Sequence, residues 1–223
     1  MTPREAIAAI IDNQPSFIVR AYSRVRFSIL HQEILDQIGQ YLPARAHILD
    51  LGCGFGLFSL YYALTGPERV MTGVDRNEHR IGMAQACARA LSVHNVQYVA
   101  QDALAFRGRE SFDAIYMLDL IHHLPRREVA GFLGELRSLL RPGGLLILKD
   151  VSNRPRYKRW FTLALDRAMV GLREEIYYWP PEELTALLTG LGFDVKRHPI
   201  KDVLPYPHML YVCTSTSAAP RMR

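Results

Sequence analysis

The sequence predicts one α/β domain, a mainly parallel sheet with helices on both faces and an antiparallel hairpin at its C-terminal edge. Two observations predict it. Through the middle of the chain, short apolar runs of strand length alternate with longer segments of helical periodicity, the order that gives a covered parallel sheet. Near the end, "FDVKRHPI" (193–200) and "HMLYVC" (208–213) follow each other too closely for a helical crossover, so they pair antiparallel.

The elements follow in order. Residues 1–42 read as an N-terminal helical cap. Its opening "MTPREAIAAIIDNQ" is too short, and too interrupted by Glu5 and Asp12, for a signal peptide or a membrane span, which leads to the expectation of a cytoplasmic protein. Strand candidates are "HILDL" (47–51), "RVMTGVD" (69–75), "VQYVA" (96–100), "FDAIYML" (112–118) and "GLLILKD" (144–150). Between them, "NEHRIGMAQACARALS" (77–92) sets Ile81, Ala84, Ala88 and Leu91 at helical spacing, and "REVAGFLGELRSLLRPGG" (127–144) ends in a Pro-Gly-Gly helix stop. Residues 152–182 form a lid or insert helix. Residues 183–223 hold a last helix after Pro180, then the hairpin and a tail that frays from Thr214.

Composition narrows the class. A chain of 223 residues that is 49% hydrophobic and 22% charged buries the core of one ordinary domain. Cys53, Cys87 and Cys213 are odd in number and lie far apart with no CxxC pair, which supports neither a disulfide framework nor a zinc knuckle. The net charge of +5 is spread along the chain and is a weak signal for nucleic acid.

The stretch "ILDLGCGFG" (48–56) carries the most chemistry. Glycines 52, 54 and 56 directly after an apolar strand let the backbone turn sharply and approach a ligand, and Asp50 precedes them. The spacing is GxGxG, and the dinucleotide fingerprint GxGxxG fails because position 57 is Leu. Acids also end the next two strands, Asp75 in "GVDRN" and Asp102 in "AQDAL". A carboxylate at such an edge can accept two hydrogen bonds from a vicinal diol, although a helix cap or turn is the plainer use of either acid.

This glycine loop with its three acids resembles the class I S-adenosylmethionine-dependent methyltransferases of small-molecule type. The resemblance is close over about residues 43–151 and extends to the hairpin by topology. It implies a Rossmann-like seven-stranded sheet, S-adenosyl-L-methionine as donor and S-adenosyl-L-homocysteine as product. It also implies a cofactor set of Asp50, Gly52, Cys53, Gly54, Gly56, Asp75, Arg76, Asp102, Ala103 and Leu118, with Asp75 on the ribose hydroxyls and Asp102 on the adenine amino group. The Cys53 thiol itself reads as a small buried hydrophobe.

The same resemblance puts His122 and His123 of "LDLIHHLP" beside the cofactor as the candidate catalytic residues, His123 as framework and His122 toward the acceptor. A metal is not expected there, since Asp119 is the only further ligand nearby. Lys149 and Asp150 line the same region, where an internal ion pair accounts for them equally well. A histidine base suits phenol, enol or carbon-acid acceptors.

The acceptor class comes from the remaining segments. "SNRPRYKRWFTLALDRAMVG" (152–171) is a basic amphipathic helix, either a lid on the domain or, through 154–170, a peripheral membrane contact. Trp160, Tyr177, Tyr178 and Tyr22, with Trp179 and Phe27 near them, suggest an apolar, lipid-like or aromatic acceptor taken at oxygen or carbon. An RNA methyltransferase and a non-catalytic S-adenosylmethionine-binding protein are the alternatives. The first lacks the Asn/Asp-Pro-Pro-Tyr signature and a Pro-Cys nucleophile.

Overall fold

The structure, a computed structural model, describes residues 1–108, 111–151, 177–200 and 208–216. Its seven strands form one sheet in the order β3-β2-β1-β4-β5-β7-β6. The chain divides into two compact units, Met1–Tyr116 and Met117–Arg223.

The first unit opens with α1 (Pro3–Asp12), α2 (Phe17–Ile29) and α3 (Gln32–Gly39). A capping box between Thr2 and Glu5 starts α1, and Ser16 caps α2. Then come β1 (Ala46–Leu51), α4 (Leu57–Thr65), β2 (Arg69–Asp75), α5 (Glu78–Ala90), β3 (Val96–Ala100), the 3-10 turn η1 (Ala103–Ala105) and β4 (Phe112–Leu118), whose last two residues belong to the second unit. β1, β2 and β3 pair in parallel, with Asp50 level with Gly73 and Asp75 level with Ala100. The helix α4 is apolar all round and almost wholly buried, as a helix packed on several sides must be. Two of its tyrosines fasten α3: Tyr61 donates to Asp36 (3.0 Å) and Tyr62 to the Leu35 carbonyl (2.9 Å).

The second unit holds η2 (Ile121–His123), α6 (Arg126–Leu139), β5 (Leu140–Val151), α7 (Pro181–Gly190), β6 (Phe193–Pro199) and β7 (His208–Ser215). β7 runs antiparallel to both β5 and β6, so the expected hairpin is present.

Three features differ from expectation. α6 ends at Leu139, ahead of the expected Pro-Gly-Gly stop, and the "RPGG" stretch falls within β5 with Gly143 at φ +76°; Pro142 has no N–H to donate, and it drives Arg141 out of the helical region. The tail does not fray at Thr214, because β7 runs to Ser215 and Thr216 bonds to the Gly192 carbonyl through both its amide and its hydroxyl. Phe27 belongs to the core, 6% exposed and edge-on to Phe58 at 5.7 Å, rather than to an acceptor wall. Among the described residues, no helix is long and apolar enough to cross a membrane.

Candidate active site

In the first unit the glycine loop is held from behind. The amides of Gly52 and Cys53 both donate to the Val74 carbonyl (2.8 and 3.0 Å), which locks the loop to β2. Two glycines in it have different reasons to be glycine. A Cβ on Gly56 would fall 2.7 Å from Tyr98 Cζ and 2.8 Å from Ala84 Cβ, so packing excludes it. Gly54, at φ +55°, has nothing within 4 Å of where a Cβ would stand. Its open side is a backbone cradle, which fits a ligand that must approach closely.

Asp75 ends β2 only 9% exposed and accepts two backbone amides, Gly54 N–H at Oδ2 and Asn77 N–H at Oδ1, both at 2.9 Å. It therefore braces the cradle directly. Each carboxylate oxygen keeps a further lone pair, so the two bonds are compatible with a diol ligand. Asp102 caps η1 by accepting from Leu104 N–H (2.8 Å), the local role that competed with a ligand role in the sequence. Arg76 is exposed and Ala103 half-buried beside them.

Asp50 lies deeper, 3% exposed. Its Oδ2 accepts from Ser59 (2.5 Å) and from Tyr116 (2.8 Å). Burial pushes its carboxyl up to about 7; the two hydroxyls pull it down, and Asp75 pushes it up again. Burial, then Asp50 and Asp75, push the Cys53 thiol well above its usual value, consistent with an inert wall residue. Tyr22, half-buried on α2, meets Phe55 of the loop edge-on at 5.2 Å, and the Arg80 guanidinium lies 5.6 Å from the same ring. Nothing in the sequence marks Ser59 or Tyr116, since each is one hydroxyl inside an apolar run.

In the second unit, η2 presents the two histidines with their rings 4.0 Å apart. His122 is the enclosed one, 1% exposed; His123 is half-buried. Asp150 at the end of β5 accepts the His122 amide at Oδ2 (3.1 Å), and its Oδ1 pairs with ring Nδ1. Leu118, 7% exposed, ends β4 just before this segment.

Successive residues of a strand point to opposite faces, so Lys149 cannot share Asp150's partner. Fully buried, it pairs with Asp119 (2.5 Å). Asp119 sits at φ +59°, a left-handed conformation uncommon for a residue with a side chain, and its amide donates to the Lys149 carbonyl (2.8 Å). The ion pair the sequence suggested for Lys149 and Asp150 is therefore two pairs, each running from β5 to the segment after β4.

Of the expected acceptor residues, Tyr178 stacks on His122 (5.6 Å between ring centroids, 29° between planes). Tyr177 is tied back: its amide donates to the His122 carbonyl (2.9 Å), its hydroxyl to Glu183 (3.1 Å), and its ring lies 4.6 Å from the Arg126 guanidinium. Trp160 and the helix expected over 152–171 lie outside the described residues. Among the described residues, no three or more His, Cys, Asp or Glu side chains gather as a metal site.

A sequence-family profile described as a methyltransferase domain matches residues 22–198. The chain is 28% identical over 185 residues to the ubiquinone biosynthesis O-methyltransferase of Sinorhizobium fredii (strain NBRC 101917 / NGR234), an alignment covering 78% of this chain and 72% of that one. It is 30% identical over 154 residues to the protein of the same name from Rhizobium leguminosarum bv. trifolii (strain WSM2304), over 66% of this chain and only 59% of the relative's length. Among solved structures, magnesium protoporphyrin IX methyltransferase from Synechocystis PCC 6803 with bound SAH superposes with a TM-score of 0.67 at 21% identity, covering 96% of this chain and 94% of that one, a likeness of fold. With the profile spanning most of its length and the acid-flanked GxGxG cradle in place, this chain belongs to the methyltransferase-domain family, as a class I enzyme that uses S-adenosylmethionine.

Proposed function

We propose that the enzyme methylates an acidic hydroxyl, of the phenol or enol kind, on a small apolar molecule, with His122 taking the hydroxyl proton. The observation that carries this is the double hold of Asp150 on His122, at the backbone amide and at Nδ1. A carboxylate at Nδ1 fixes the neutral ring with its proton there and its lone pair on Nε2, and it stabilises the charge that the ring gains on taking a proton. The stacked Tyr178 gives the histidine an apolar neighbour suited to an apolar acceptor. The word O-methyltransferase in the names of the relatives favours oxygen over carbon as the target atom.

On the donor side, the cradle of Gly52, Cys53, Gly54 and Gly56, the carboxylates Asp50, Asp75 and Asp102, and Arg76, Ala103 and Leu118 would hold S-adenosylmethionine. When bound, that molecule supplies an electrophilic methyl group on a sulfonium. The carboxylates balance its positive charge, and Asp75 in addition keeps the cradle shaped through Gly54. Residues 43–151 are then the cofactor-binding core, and Tyr22, Tyr177 and Tyr178, with Trp160 of the 152–182 segment, are the proposed acceptor-binding residues. His123 supports the ring beside it.

The test is a panel of apolar phenols and enols with labelled donor, run on wild type, His122→Ala and Asp150→Asn. His122→Ala should lower kcat by about two to four orders of magnitude, because a base acts only in the transition state, and should leave S-adenosylhomocysteine affinity unchanged. Asp150→Asn should lower kcat less and leave KM nearly constant. Near-normal turnover by His122→Ala would refute the assignment.

A further inference from the structure

Among the described residues, one face of the helix α2 carries exposed apolar side chains. Its buried side is an ordinary packing face, with Val19, Ser23 and Phe27 four residues apart. On the other side Phe17, Ile18 and Val25 are 78%, 64% and 51% exposed, half of the strongly exposed large apolar side chains among the described residues. Phe17 and Val25 lie two turns apart, and Ile18 and Val25 seven residues apart, so the three share one exposed stripe, with Ala21 between them. Arg20 and Arg24 are exposed along the flank of that stripe. From Asn13 to Gln32 the chain has no acidic residue.

We infer that this face of α2 docks on an anionic lipid surface, Phe17, Ile18 and Val25 entering the acyl boundary while Arg20 and Arg24 meet the headgroup charge. Charge decides the occupant. A second copy of the chain in a two-fold contact would set the arginine row against its own image, like against like, with no acid in the segment to answer it. An anionic membrane answers both parts of the face at once, apolar stripe and basic flank. The inner side of the same helix reaches the cofactor loop through the Tyr22 contact with Phe55, so docking would hold the donor end of the enzyme near the bilayer. The inference rests on exposure and charge alone and stands apart from the choice of acceptor.

The test is co-sedimentation of the full chain with phosphatidylcholine vesicles with and without a minority of phosphatidylglycerol, at low and high salt. Wild type should bind the anionic vesicles, ignore the neutral ones and release with salt. Arg20→Glu with Arg24→Glu should weaken binding by at least about fivefold for each arginine lost. Phe17→Ser with Ile18→Ser should weaken it comparably, with S-adenosylhomocysteine affinity and Tm unchanged because the replaced side chains support no core. Equal binding by the variants, or failure of wild type to bind anionic vesicles at low salt, would overturn the inference. So would a concentration-dependent dimer in analytical ultracentrifugation that the serine pair abolishes, since the face would then belong to a second copy.

Discussion

Asp75 braces the glycine loop and is proposed to bind the donor, and replacing it tests both roles. It accepts one backbone amide at each oxygen, Gly54 and Asn77, both at 2.9 Å. A charged acceptor contributes about 1.5–3 kcal/mol per bond, and with the amides only part-buried the pair stabilises the native loop by about 2–4 kcal/mol. Asp75→Ala should therefore lower the unfolding free energy by that amount and reduce S-adenosylhomocysteine affinity by about 2–4 kcal/mol more, since the proposed ribose bonds and the loop brace are lost together. Asp75→Asn is the sharper variant. Its amide has one oxygen and one NH2, so it can serve only one of the two N–H donors and sets a donor against the other. Asn should then lose nearly as much as Ala in both denaturant unfolding and calorimetric titration of S-adenosylhomocysteine. If Asn keeps wild-type stability and affinity, Asp75 neither braces the cradle nor binds the donor.

Asp50 gives a pH signature. Its carboxyl is raised from 3.8 to about 7 in the fold, so between those values the native state holds a proton the unfolded chain has lost, and this group's contribution to stability falls as pH rises through the window. Asp50→Asn keeps an oxygen for Ser59 and Tyr116, and it should remove that fall in urea melts and raise stability above pH 7 while weakening binding of the cationic donor; an unchanged pH dependence would mean Asp50 titrates normally. Gly54→Ala pays only the left-handed backbone cost of about 1–2 kcal/mol yet should abolish donor binding by filling the cradle. Gly56→Ala adds the collision with Tyr98 and should destabilise by about 2–5 kcal/mol, with Tm as the readout. Lys149→Ala, which strands Asp119 beside a vacated buried site, should cost about 3–5 kcal/mol, and Lys149→Met with Asp119→Asn should recover most of it.

Much of the fold was legible because it follows from period and spacing. The five parallel-strand candidates and the final antiparallel pair are where apolar runs and connection lengths put them, and the glycines at 52, 54 and 56 are where a strand must turn into a helix. Pro-Gly-Gly marks a stop for α6 in the sequence, whereas the restriction Pro142 imposes on Arg141 ends the helix earlier. Partners were less legible than positions. Asp50 was visible as an acid before a glycine loop, but Ser59 and Tyr116 come to it from a helix and a strand with no local signal. His122 stood out as one of a pair, yet only the pleat of β5 separates Lys149 from Asp150 and sends the carboxylate to the histidine. Tertiary pairing of this kind is written in topology, which a single sequence yields only after its strands are ordered.

The most direct test of the account is the position of the transferred methyl group. Purified enzyme, S-adenosylmethionine labelled in its methyl carbon and an apolar phenolic acceptor should give a product that carries the label on oxygen, formed at a rate that His122→Ala lowers by about two orders of magnitude or more while donor affinity is kept. Label on carbon or nitrogen, or an oxygen-labelled product formed at equal rates by wild type and His122→Ala, would contradict it.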